Sequence, residues 1–249
     1  MIKRIVIVMG MALSMVSGGE IVIAVAANVS YAMKPLLEAF AKTHPTTKVS
    51  VVLGSSGKLT AQILHGAPYA LLLSANMRYP QRLYEAGVAV SQPRVYAQGA
   101  LAYLSRTPRD FSQGMALLDS KQIHKIAIAN PKTAPYGEAS REAMERSGCY
   151  ATLREKLVFG ESIAQTVSYT IRATDIGIIA KSSLYSPQMS AYQEGVHWAS
   201  VDPHLYTPIK QGIVILKQGA KSPEVKAFYA FMLSPPAQTI LRRFGYLLP

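Results

Sequence analysis

Four strand-to-helix turns carry small or polar residues: Asn28–Ser30, Gly54–Gly57, Ala134–Gly137 and Gly160–Ser162. A helix N-terminus leaves backbone N–H groups unpaired and is the positive end of the helix dipole. Several such ends meeting at one point make an anion site without a formal charge. Serine and asparagine add side-chain donors, and small residues let the backbone approach a ligand. Taken singly, each turn reads equally well as an ordinary N-capped loop. Four of them, two in each half of the chain, point to a shared role. Their only carboxylate, Glu161, suits the first turn of a helix and is not read as an acid or base. Tyr136, between Pro135 and Gly137, either turns its backbone N–H into a cleft and walls it with its ring, or is a half-exposed loop residue.

Other chemistries fit poorly. Gly54-Ser55-Ser56-Gly57-Lys58-Leu59-Thr60 lacks the spacing of a phosphate-binding loop, which needs four residues between its glycines and Ser or Thr directly after Lys. The same stretch misses the GxSxG pattern, and no base can be assigned to Ser55 or Ser56. A secreted serine hydrolase using one of them is the alternative from another functional class. The five histidines never fall at i, i+4, so a histidine-based metal site is unsupported. The single cysteine, Cys149, excludes an intrachain disulfide and reads as a small buried hydrophobe. Trp198 reads as packing. The formal charge of +12 is spread without any Lys/Arg run longer than two, and no nucleic-acid motif occurs, so no nucleic-acid partner is expected.

The elements that must position these turns alternate in type. Residues 1–19 combine Lys3-Arg4, an apolar run from Ile5 to Val16 and a small-residue end, the outline of a secretory signal peptide. A soluble protein outside the cytoplasm is expected. No cysteine near the cleavage region offers a lipid anchor. Strands are predicted at 21–26, 49–53 and 70–73, each followed by a helical stretch. The helix after Asn28 must begin near Ser30, because Pro35 is tolerated only near a first turn. Further strands are predicted at 95–104, 125–129, 158–159, 176–180 and 213–216, with helices at 137–147, 151–156, 163–172, 223–233 and 236–244. Strands alternating with helices predict an α/β fold whose mostly parallel sheets are flanked by helices. The stretches 95–104 and 208–216 read as crossovers. They divide the chain into one lobe of 20–95 with 212–249 and a second of 96–211, the pattern of two-lobed proteins that close about a hinge.

In this order the segments resemble the periplasmic molybdate-binding proteins of ABC transporters. The resemblance is carried by Ala26-Ala27-Asn28-Val29-Ser30, Gly54-Ser55-Ser56-Gly57-Lys58-Leu59, Ala129-Asn130-Pro131 with Ala134-Pro135-Tyr136-Gly137, Gly160-Glu161-Ser162-Ile163, and Phe244-Gly245-Tyr246. It runs over nearly all of the chain after the leader. It implies a type II-like periplasmic binding fold with molybdate or tungstate in the interlobe cleft. The ion would be held by Asn28 and Ser56 through side chain and backbone, and by the backbone N–H groups of Tyr136 and Ile163. These residues would touch the metal only through the oxygens of the anion. The resemblance also implies a periplasmic monomer without catalytic activity or cofactor, delivering its cargo to an ABC transporter permease. A binder of sulfate or another small oxyanion is the alternative within the same fold. Three positions depart from the family pattern: Ala180 stands where some members place a ligand tyrosine, leaving Tyr136 to compensate, and Ala70 and Asn76 stand where aspartates are usual.

Overall fold

The structure is a computed structural model, and it describes residues 19–248. The expected signal peptide falls, Gly19 apart, outside the described residues. The order of elements is β1 (Glu20–Ala26), α1 (Ser30–Ala41), β2 (Lys48–Gly54), α2 (Ser56–Leu64), β3 (Leu71–Ser74), α3 (Arg78–Glu85) and β4 (Arg94–Gly99). Then follow β5 (Leu101–Leu104), β6 (Ile126–Ala129), α4 (Pro135–Arg146), α5 (Tyr150–Leu153), β7 (Leu157–Gly160), α6 (Ile163–Arg172), β8 (Ile176–Ala180) and β9 (Trp198–Ser200). The chain ends its regular structure with β10 (Ile209–Ile215), α7 (Pro223–Met232) and α8 (Pro235–Arg243).

The strands form two five-stranded sheets, β2-β1-β3-β10-β4 and β7-β6-β8-β5-β9. In the first, β1 pairs in parallel with β2 and β3, and β10 runs antiparallel to β3 and β4. The second repeats the plan: β6 is parallel to β7 and β8, and β5 is antiparallel to β8 and β9. The two-lobed α/β architecture is therefore as the sequence predicts, with mixed sheets in place of mostly parallel ones. The strands that carry the chain between lobes are the antiparallel ones.

Alternate residues of one strand enter different cores, because a strand turns successive side chains to opposite faces. Ile21, Ile23 and Val25 pack with Leu36, Phe40 and Phe228 on one face of the first sheet, whereas Ala24 and Leu72 pack with Leu59 and Ile63 on the other. In the second sheet Leu101 and Tyr103 face Ile126 and Met144, and Ala102 and Leu104 face Ile179 and Trp198. Both faces being covered explains the near-continuous apolar runs of β1, β3, β6 and β8.

The predicted single strand over 95–104 is two. Ala100 separates β4 from β5, which lie in different sheets, so the chain crosses lobes there. It crosses back between Ser200 and Ile209. All of β4 and β10 thus sit in the first lobe, a few residues inside the expected 96–211 division. The short β9 was not foreseen: its three residues are too few to show periodicity, though Trp198 is buried in packing as expected. Cys149 is only half-buried, at the edge of the second lobe's core. Among the described residues, no helix is long and apolar enough to cross a membrane.

Candidate functional site: the interlobe cleft

The four singled-out turns sit at topologically equivalent places. Two follow the parallel pair β1 and β2, and two follow the parallel pair β6 and β7. The crevice beyond the carboxyl ends of parallel strands is the usual binding place in open α/β sheets. Here the two crevices face each other. Asn28, Ser56, Tyr136 and Ile163 line one narrow cavity of about 10 Å³ together with Ser55 and Pro135. All four predicted residues are at most 4% exposed, so the cleft is shut. In this closed form the cavity has room for about one water, far below the range of about 300–1,000 Å³ that drug-sized ligands occupy.

Each turn presents donors for a local reason. Asn28 lies in a single 3₁₀ turn, Ala27–Val29, between β1 and α1. Ser56 begins α2 directly after β2, and its Oγ accepts the Ala75 N–H at 2.9 Å. With that lone pair used, the Ser56 hydroxyl proton is free to donate. Pro135 occupies the first position of α4, where its missing N–H costs nothing. The Gly137 and Glu138 N–H groups return to the Ala134 carbonyl, and among the described residues the Tyr136 N–H finds no acceptor. Ile163 opens α6 after Ser162, whose side chain caps the Gln165 N–H at 3.3 Å. The Ile163 N–H is likewise left without an acceptor among the described residues.

Two of these side chains are engaged within the protein. Asn28 Nδ2 donates to Gln211 Oε1 at 2.8 Å and to the Tyr246 hydroxyl at 2.9 Å. Of the two readings of Tyr136, the half-exposed loop residue is ruled out. Its ring is buried, and its hydroxyl oxygen accepts from Gln211 Nε2 at 3.0 Å. Gly99 makes room for it, since a Cβ there would overlap the Tyr136 hydroxyl. Burial pushes the Tyr136 and Tyr96 hydroxyls well above the usual tyrosine pKa, and raises Tyr246 to about 12. All three keep their protons at neutral pH.

The sequence reading missed Ser55, Gln211 and Tyr246 as parts of this site. Ser55 is 5% exposed, lines the cavity, and its Oγ is buried without a partner. The doubled serine was the available signal. Gln211 and Tyr246 are 183 and 218 residues from Asn28, and no local pattern links them.

The acids near the cleft are matched by cations from the opposite lobe. Lys58 Nζ meets Glu161 Oε2 at 2.7 Å, and Arg78 Nη2 meets Glu138 Oε2 at 3.1 Å. Backbone also bridges the lobes: the Gly57 N–H donates to the Thr133 carbonyl at 2.9 Å, and a Cβ on residue 57 would lie 2.8 Å from that oxygen. Asn76, one of the departures, has its Oδ1 near the Tyr79 N–H at 3.3 Å at the start of α3, and Ala70 is buried beside Gly219. Both positions serve local structure. No cluster of three His, Cys, Asp or Glu side chains able to hold a cation occurs among the described residues.

Two mixed α/β lobes joined by paired crossovers and closed on a small donor-lined cavity define a binding protein for a small solute. The chain belongs to the bacterial extracellular solute-binding proteins, whose family model matches residues 21–247. It is 38% identical over 245 residues to the molybdate-binding protein ModA of Rhodobacter capsulatus, covering 97% of this chain and 93% of that one. To ModA of Azotobacter vinelandii it is 32% identical over 249 residues, covering 98% and 97%. The solved structure of the Azotobacter vinelandii periplasmic molybdate-binding protein superposes with a TM-score of 0.84 at 30% identity, covering 92% of this chain and 99% of that one.

Proposed function

We propose that the chain captures molybdate or tungstate outside the cytoplasm, closes around it and hands it to an ABC transporter permease, without catalysing a reaction. The observation that carries this reading is the cavity itself: neutral donors from both lobes, with Glu161 and Glu138 each held by a cation from the opposite lobe. The Ser55 and Ser56 hydroxyls and the Tyr136 and Ile163 N–H groups suit a fully deprotonated tetrahedral oxyanion. Hydrogen bonds to a charged acceptor are the stronger kind, and closure removes the water that would weaken them. The likeness to proteins named for molybdate supports the choice of ion. Rejection of sulfate then rests on size: bonds shorter by a few tenths of an ångström leave some donors out of reach. No base stands within hydrogen-bond reach of Ser55, and Ser56 Oγ meets a backbone N–H, so nothing supports the hydrolase alternative.

Calorimetric titration with molybdate, tungstate, sulfate and phosphate tests the proposal. Tight one-to-one binding of the first two and weak binding of the others is expected. Sulfate bound as tightly as molybdate would overturn the choice of ion and leave the fold untouched. A monomer in sedimentation, with and without molybdate, is expected.

A further inference from the structure

Among the described residues, both ion pairs that join the lobes have the same polarity. Lys58 and Arg78 belong to the first lobe, and Glu161 and Glu138 to the second. Their places in the chain repeat as well. Lys58 is two residues past Ser56 and Arg78 three past Ala75, while Glu138 is two past Tyr136 and Glu161 two before Ile163. Ser56, Ala75, Tyr136 and Ile163 all line the cavity. Each charged group is thus tethered to the cavity wall, yet its side chain is 40–70% exposed at the rim.

The lobes differ in overall charge in the same sense. Residues 20–99 with 209–249 hold 13 Lys and Arg against 4 Asp and Glu, whereas residues 100–208 hold 11 against 10. The first lobe's four acids find other partners: Glu20 and Glu38 pair with Lys48 and Lys34, and Glu85 and Glu224 accept from Gln81 and Ser222. Arg78 is also held on its own lobe. Its Nη2 donates to the Tyr79 hydroxyl at 3.2 Å, and its guanidinium carbon lies 4.9 Å from the centre of that ring.

A cavity with room for about one water admits an oxyanion only when the lobes part. Parting separates both ion pairs. The first lobe then offers an incoming dianion two cations beside the turns of Asn28, Ser55 and Ser56. The second offers it carboxylates beside the first turns of α4 and α6, where they offset the positive helix ends. Charge of one sign along a cleft raises the rate of encounter with the opposite sign. Charges at a rim act on the association rate and its salt dependence more than on affinity.

Resting on the oxyanion reading of the cleft, we propose that Lys58 and Arg78 are positioning residues that draw the dianion onto the first lobe and then pair with Glu161 and Glu138, so that the second lobe closes last, on an anion already seated. A latch alone would leave the order of events open. The shared polarity of the two pairs sets it.

The test is the association rate of radiolabelled molybdate with the whole protein, mixed rapidly, quenched with excess unlabelled molybdate and read on a filter. In about 20 mM salt, Lys58→Gln with Arg78→Gln should bind about tenfold more slowly than wild type, and the difference should vanish at about 0.5 M salt. Glu138→Gln with Glu161→Gln breaks the same pairs from the other side and should bind at least as fast as wild type. Slowing of both double variants would make the pairs a latch only and overturn the proposal, as would an unchanged rate in the variant lacking the cations. Should a variant not fold, a wild-type rate indifferent to salt overturns it, and one that falls steeply with salt upholds it. Wild type that captures no molybdate overturns the oxyanion reading and this proposal together, whereas capture at a rate independent of Lys58 and Arg78 overturns this proposal alone.

Discussion

In the first lobe, the turns after β1 and β2 bring side chains to the cleft: Asn28, Ser55 and Ser56. In the second, the equivalent turns after β6 and β7 bring helix N-termini whose side chains are engaged elsewhere. The Tyr136 hydroxyl is held by Gln211, Ser162 Oγ caps α6, and Ile163 is core. One strand plan thus carries two kinds of donor. Backbone donors are fixed by the helix and cannot be removed by changing a side chain. Side-chain donors can reorient and can be lost. The first lobe is where substitution reaches the ligand; the second is where the ligand meets a rigid wall.

The largest effect should come from removing the first lobe's donors. Asn28→Ala with Ser56→Ala should weaken molybdate binding by about 10³-fold, since each bond to a charged group is worth roughly 1.5–3 kcal/mol. Calorimetry checks it, and a loss below tenfold would deny these side chains their role. Next is the approach of the lobes. Gly57→Val places carbon against the Thr133 carbonyl. With about 1–3 kcal/mol of steric cost, affinity should fall roughly 10- to 100-fold, and small-angle scattering should show less compaction on adding molybdate.

In the second lobe the same kind of change should touch stability instead. Ile163→Ala should cost about 2–4 kcal/mol of folding stability by thermal or denaturant unfolding, yet leave affinity within about twofold. A large loss of affinity in a folded Ile163→Ala protein would break the contrast between the lobes. The smallest effect belongs to the exposed Lys58–Glu161 pair. Lys58→Ala should weaken binding by less than about fivefold, and less still at high salt.

The comparison also has a pH signature. Tyr246 is raised in the folded protein to about 12 from an ordinary 10, so its protonated form is favoured by folding. Its contribution is complete below pH 10 and is lost as pH rises from 10 towards 12. Thermal stability should therefore decline from about pH 10 upward, and Tyr246→Phe should blunt that decline.

Much of this was legible in the chain. The turns at Asn28, Ser56, Tyr136 and Ile163 announced themselves because each combines a strand end, a small or polar residue and a helix start within a few positions. These are local signals, and the structure brings all four to one cavity. What stayed hidden was non-local. Nothing near Gln211 or Tyr246 marks them as partners of Asn28. Ala100 lies within a continuous apolar-rich run, so the passage from one sheet to the other left no break in pattern. The partners of the Asn28 amide lie about two hundred residues away, so nothing beside it in the chain announces them.

Tyr246 lies beyond every strand and helix, tied down where Gln98 and Leu247 exchange backbone hydrogen bonds at 2.7 and 2.9 Å. Its ring is packed in the core, and its hydroxyl anchors Asn28. A growing or partly threaded polypeptide that has not yet delivered this tyrosine has both sheets' parallel strands in place but no floor under its first donor. Cargo capture is thereby deferred until almost the whole chain has arrived, and proteolytic trimming ahead of Tyr246 should yield a folded but poorly retaining product.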